Sequence, residues 1–297
     1  MIDAILQRVC FIPYRGRGLA QHQRLGRRRS HRRGEGLEFD QIKEHQAGEE
    51  IRRVNWSATA RRGGSSLFVN SYYEDKSLTV MLLVDLSASM NFGSQRLTKK
   101  TLAAELCASL AYSAFTCNDR VGLLGFTSEV ACYLPPRQAP QYQWSIPETI
   151  LAYDSTRTHA NFWVAAQGLQ QHLKHRALVF LLSDFLTDET DQLAQTLAWL
   201  RSKHDLINLR LSDPREMNLP PGQGRMLTRD LETGKLIMYR FSRRNRRRMT
   251  RLAEEQQQHL QTLCQTLDIT QLTVTPESDY GEDMTQMFLA SQRRNHG

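Results

Sequence analysis

The chain has no apolar run approaching the roughly 20 residues that a membrane-crossing helix needs, so no helical span is expected in its 297 residues. Cysteine is sparse: Cys10, Cys107, Cys117, Cys132 and Cys264 include no CxxC pair, and no histidine stands in zinc spacing to them. That argues against a disulfide framework and a structural zinc, and fits reduced thiols in a cytosol. The first eight residues carry an acid at Asp3 and lack a sustained apolar stretch. A secretory signal is therefore not expected, and the location read from these features is cytoplasmic. Glycine-rich phosphate loops are missing too. The turn Ala88-Ser89-Met90-Asn91-Phe92-Gly93 places its glycine too late for a dinucleotide fingerprint,. The G-x-S-x-G elbow of serine hydrolases is absent.

Acidic residues are missing from one long stretch. Between Ala4 and Gly34 there is none, while Arg8, Arg15, Arg17, Arg24, Arg27, Arg28, Arg29, Arg32 and Arg33 all fall there. These nine exceed the formal net charge of +8, so the rest of the chain is near neutral. A second cluster, Arg240, Arg243, Arg244, Arg246, Arg247, Arg248 and Arg251, opens a helix-like segment. Such runs can be solvated faces, or can meet nucleic acid, anionic lipid or an acidic protein. No aromatic interleaving or nucleic-acid motif accompanies them.

From residue 79 onward, apolar strands alternate with amphipathic helices. Strands are expected at 79–85, 121–126, 130–134, 177–182 and 206–211, and helices at about 96–116, 161–174, 189–202 and 243–267. Pro135-Pro136 is expected to end the third of these strands, and 136–158 to be looser. A hairpin is expected over 225–241, and a β-leaning stretch at 269–274. Before residue 79 the pattern is irregular, with one short strand near 67–73. Alternation of this kind implies an α/β fold, a doubly wound and mainly parallel sheet with right-handed crossovers. Sheets of that class bind ligands outside the carboxyl ends of their strands, where strand order reverses.

Asp85-Leu86-Ser87-Ala88-Ser89 stands at such an end, after the apolar run Val80–Val84. A carboxylate and two hydroxyls at alternate positions can wrap their oxygens around one hard cation such as Mg2+. Asp and Ser also favour turns for local reasons, so the same residues admit a plain strand-ending turn. Asp184 closes the strong strand 177–182 and would add a second carboxylate. A phosphatase with an aspartate nucleophile normally needs an acid/base two residues on, and here that residue is Ser87. No histidine is convincingly placed to activate Ser87 or Ser89; His45, His159, His172 and His204 read as polar surface residues. Metal-dependent binding without turnover remains, with an outside carboxylate as the natural ligand for an under-neutralised ion.

At these residues the chain resembles a von Willebrand factor A domain, whose metal-ion-dependent adhesion site has the pattern D-x-S-x-S. Asp85, Ser87 and Ser89 match it, and Asp184 matches that family's later aspartate. The blocks Gly36–Asp40, Gly48–Trp56, Ala60-Arg61, Leu67–Val69, Asp119–Leu123, Arg176–Val179, Ser183–Phe185, His204-Asp205, Asp213–Glu216 and Leu231–Gly234 narrow the resemblance to the bacterial domain of unknown function 58 family. The match runs from about residue 30 to near the C-terminus. The resemblance implies a von Willebrand factor A-like core at 79–242, preceded by a basic segment at 1–35 and a family-specific region at 36–78, and followed by a helical extension at 243–297. It also implies a non-enzymatic partner of a MoxR-type AAA+ ATPase, acting as an adaptor or chaperone-like protein. The adhesion site's third-loop threonine position holds Ala160 in Thr158-His159-Ala160-Asn161, which leaves Thr158 or Thr156 to supply that hydroxyl. In the Gly48–Trp56 block, Arg52, Arg53 and Trp56 could form a second, partner-binding surface; the expected role is packing of the N-terminal segment onto the sheet, with Trp56 buried and Arg52 or Arg53 in ion pairs.

Overall fold

The computed structural model describes residues 2–14, 37–45, 54–61, 66–74, 77–95, 97–155, 159–187, 189–217, 224–229 and 236–294. They fall into two compact units, residues 1–22 with 78–297, and residues 23–77. The larger unit is built on a six-stranded sheet. Its strands are β3 (Thr79–Asp85), β4 (Arg120–Phe126), β5 (Val130–Arg137), β6 (Leu178–Ser183), β7 (Asp205–Leu211) and β10 (Thr270–Val274). Their order is β10-β7-β6-β3-β4-β5, and β5 alone runs antiparallel to its neighbour. This is the expected doubly wound α/β architecture with a mainly parallel sheet. Strand order reverses between β3 and β6, because the chain first moves outward through β4 and β5 and then returns to the other side of β3.

Alternation along β3 separates two apolar layers. Val80, Leu82 and Val84 face one layer, which also holds buried residues of α3 (Lys99–Thr116), α4 (Tyr142–Ala152) and α9 (Tyr280–Arg294). Met81 and Leu83 face the other, shared with α5 (Phe162–His172), α6 (Thr190–Lys203) and the end of α8 (Arg243–Thr266). All six residues of β6 and all seven of β7 are buried, as expected of strands covered on both faces,. Residues 2–14 join the first layer. Ile5, Ile12 and Tyr14 lie in its core; the Ile12 N–H donates to Ser113 Oγ at 2.8 Å, and the Tyr14 hydroxyl donates to Asp119 Oδ2 at 2.7 Å. Residues 2–14 are thus part of this unit, with the short helix α1 (Ile2–Leu6) leading into it.

The structure corrects several expectations. β5 continues through Pro135-Pro136 to Arg137. It is an edge strand, where a missing N–H costs no ladder bond. The looser segment contains α4, which tolerates Pro147 and buries Tyr142, Ile146 and Ile150 along one face. The β-leaning stretch expected at 269–274 does form a strand, β10, which pairs in parallel with β7. His204 is not a surface residue: it is 4% exposed at the C-terminal end of α6.

The smaller unit contains an antiparallel ribbon, β1 (Leu37–Glu44) with β2 (Phe68–Glu74), and the helix α2 (Trp56–Arg61). The Asn55 side chain accepts the Ala58 N–H, and the Thr59 hydroxyl accepts the Phe68 N–H. The hairpin of β8 (Gly224–Arg229) and β9 (Leu236–Phe241) forms as expected, in the larger unit. Among the described residues no helix is long and apolar enough to cross a membrane.

A candidate cation site at the switch point

The topological reversal places the carboxyl ends of β3 and β6 side by side, bringing Asp85 and Asp184 together. The loop after β3 is set by its apolar residues. Leu86 and Met90 are fully buried in the first apolar layer, and the Leu86 N–H donates to the Phe126 carbonyl at 2.8 Å. The chain then makes a 3-10 turn over Ala88–Asn91. This alternation leaves Ser87 and Ser89 as the polar positions, and their hydroxyls meet at 3.1 Å.

Asp85 is completely buried and accepts only neutral donors among its described hydrogen bonds. Oδ1 takes the Ser87 N–H at 2.8 Å, and Oδ2 takes the Ser183 hydroxyl at 2.6 Å. Ser183 Oγ in turn accepts the Phe185 N–H at 2.9 Å, so one hydroxyl ties the two strand ends together. Burial, and after it the nearby Asp184 charge, push the Asp85 carboxyl up to about 7 despite these hydrogen bonds,. Phe185 sits at φ 56°, a left-handed conformation that is unusual for a bulky side chain,. Its ring stacks on Phe162 with centroids 5.6 Å apart, which holds the turn after Asp184 in place.

Asp184 has a different set of partners. Its Oδ1 accepts the Leu186 N–H at 3.1 Å, and its Oδ2 lies 2.6 Å from Lys99 Nζ. Lys99 is 0% exposed and also reaches Glu216 Oε1 at 2.5 Å. Burial pulls the Lys99 ammonium down, but the Asp184 and Glu216 charges outweigh it and hold it above its ordinary value. Glu216 lies in the short helix α7 (Pro214–Met217), whose leading Asp213 accepts the Ser94 N–H at 2.7 Å and the Ser94 hydroxyl at 2.5 Å. Burial alone would raise Asp213; these bonds and the Arg215 N–H hold it below the usual range.

The donor set therefore fits a divalent cation in part. Asp85, Ser87 and Ser89 offer one carboxylate and two converging hydroxyls, the oxygen chemistry that Mg2+ takes. Asp184 does not fit as a direct ligand in this arrangement, because the ammonium of Lys99 is already on it. Thr158 and Thr156 lie outside the described residues. Ala160 packs against the second apolar layer, and Asn161 caps α5 by accepting the Trp163 and Val164 N–H groups. Arg52 and Arg53 also lie outside the described residues. Trp56 is 64% exposed, correcting the expectation of a buried anchor.

Lys99, Glu216 and Asp213 were missed as site residues from sequence. One signal was available: Lys99 stands three and seven residues before Leu102 and Leu106, on the buried stripe of α3. A lysine there must find a buried partner.

Two uncharacterised proteins, one of Mycobacterium bovis and one of Mycobacterium tuberculosis, are each 24% identical to this chain over 269 residues, covering 88% of it and 81% of the relative. Among solved structures, the chain is similar to the conserved hypothetical protein BatB of Bacteroides thetaiotaomicron, with 15% identity, a TM-score of 0.48 and coverage of 73% of this chain and 100% of that one. It is also similar to the VWA domain of SpRpn10, at 12% identity and a TM-score of 0.43, covering 71% and 94%. The family described as "Protein of unknown function DUF58" matches residues 41–259, well over half of the sequence, and the chain belongs to that family.

Proposed function

We propose that this protein is a non-enzymatic, cytoplasmic interaction module that binds a partner protein through a divalent cation held at Asp85, Ser87 and Ser89, and that the partner is a MoxR-type AAA+ ATPase for which it acts as adaptor or chaperone-like protein. One observation carries the reading: a buried carboxylate without a described cationic partner stands beside two converging hydroxyls, at the point of the sheet where strand order reverses,. When bound, Mg2+ would supply a positive centre with open positions for an outside carboxylate. The chain's own residues have simpler tasks. Ser183 and the Ser87 N–H orient the Asp85 carboxylate, Leu86 and Met90 pin the loop, and Ser87 and Ser89 present their oxygens. Ser87 stands where an aspartate-nucleophile phosphatase would need its acid/base, which favours binding over turnover. Exposed Trp56, with Arg52 and Arg53, is assigned a second contact with the same partner.

The test is capture of the cognate ATPase by the full chain. Recovery is expected with Mg2+, and is expected to fall at least tenfold with a chelator or with Asp85→Ala. Trp56→Ala should weaken capture while leaving stability within about 0.5 kcal/mol, as for other exposed positions. Equal recovery under all conditions would refute the metal bridge.

A further inference from the structure

Lysine is among the residues least often wholly buried, and a buried ammonium needs charged partners. Lys99 is the first residue of α3, so its charge also stands at the positive end of the helix dipole, where an acid is favoured,. Local structure therefore gives no reason for a lysine there. Its partners do: Asp184 Oδ2 at 2.6 Å from β6 and Glu216 Oε1 at 2.5 Å from α7, with the Phe92 ring centroid 5.9 Å from Nζ.

The remaining oxygens of the two acids are occupied as well. Asp184 Oδ1 takes the Leu186 N–H, and Glu216 Oε2 takes the Asp213 N–H at 3.2 Å. A second buried cation, Arg210, pairs in register with Ser183 and feels the charges of both Glu216 and Asp184. Within salt-bridge distance among the described residues, the two carboxylates Asp184 and Glu216 share the single ammonium of Lys99. Asp85 has neutral donors in its described hydrogen bonds.

We propose that Lys99 is a tethered cation that takes the Asp184 side of the site, withholding that carboxylate from direct coordination and leaving Asp85, Ser87 and Ser89 as the chain's own cation ligands. The inference deepens the reading above and rests on it. It explains why an ion here would depend on a partner's acid: the second carboxylate is neutralised from within. Lys99 also limits affinity by like-charge repulsion of the ion. Through Glu216, and through Asp213 on Ser94, it joins the loops after β3, β6 and β7 into one unit.

The experiment is calorimetric titration of Mn2+, then Mg2+, into the full chain and into Lys99→Met, Lys99→Met/Glu216→Gln and Lys99→Met/Asp85→Asn. Lys99→Met frees Asp184 and removes the repelling charge, so it is expected to bind Mn2+ at least tenfold more tightly than the parent; adding Asp85→Asn should abolish the gain. Should Lys99→Met fold only when Mn2+ is present, in a manner lost with Asp85→Asn, that is the same result read as stability. The variant with Glu216→Gln leaves one unpaired carboxylate instead of two, providing a second background. Mn2+ affinity equal to or weaker than the parent's in both backgrounds would overturn the proposal, as would failure of both to fold at any Mn2+ concentration. The two readings separate cleanly. Binding by Lys99→Met but not by the parent removes the native metal site and upholds the role of Lys99. Equal binding by both upholds the site and removes that role.

Discussion

Asp85→Asn should change how stability depends on pH. Burial and the Asp184 charge raise the Asp85 carboxyl from an ordinary 3.8 to about 7 in the folded chain. An acid whose folded pKa is raised keeps its proton in the folded state while the unfolded state releases it. Between about pH 4 and pH 7 the unfolded state therefore binds fewer protons, and stability falls as pH rises. The whole effect is roughly 4 kcal/mol, from about three pKa units at 1.36 kcal/mol each. It develops above the unfolded pKa and levels off above the folded one, so more than half of it lies between pH 5 and pH 7.5. Asn keeps the acceptor for the Ser87 N–H, and the Ser183 hydroxyl can turn to accept from its amide. The assay is urea unfolding of parent and variant at both pH values in chelator. The parent is expected to lose about 2–3 kcal/mol relative to Asp85→Asn on going from pH 5 to pH 7.5. Saturating Mg2+ should remove that difference in slope, since an ion favours the ionised carboxylate. Parallel pH profiles for the two chains would refute the account of Asp85 as a buried carboxylate with no compensating cation among the described residues.

Other perturbations test the surrounding structure. Lys99→Met in chelator should destabilise the chain by about 3–5 kcal/mol, the usual cost of breaking a buried ion pair from one side, measured by denaturant midpoint. Tyr14→Phe removes a buried hydroxyl from Asp119 and should cost about 1.5–3 kcal/mol; no loss would mean that residues 2–14 do not dock as described,. Gly122→Ala would put a methyl 2.8 Å from the Leu134 carbonyl oxygen and 2.9 Å from the Pro136 nitrogen. Since β5 backbone must shift to admit it, a loss of about 1–3 kcal/mol is expected in thermal unfolding.

Much of the sheet was legible because its strands are buried on both faces. Val80–Val84 and Leu178–Leu182 are continuous apolar runs, a pattern that few other settings tolerate. Asp85 and Asp184 were legible because they end those runs. What escaped the sequence reading has particular physical causes. The alternation of β1 is broken by a register shift between Phe39 and Gln41, which hides a strand among charges. α4 carries Pro147 yet is held by the burial of Tyr142, Ile146 and Ile150. Trp56 begins a short helix with its ring outward, where its bulk alone suggested burial. The Lys99 clasp joins residues 85 and 117 positions apart, and no local pattern announces a pairing over that distance.

The central claim is that this chain holds a divalent cation with Asp85, Ser87 and Ser89 while Lys99 keeps Asp184. Crystals of the full chain soaked in Mn2+ and measured for anomalous scattering test it most directly. The account predicts one peak bordered by Asp85, Ser87 Oγ and Ser89 Oγ, with Lys99 Nζ still on Asp184 and Glu216. No peak at that place, or a peak ligated directly by Asp184 with Lys99 displaced, would contradict it.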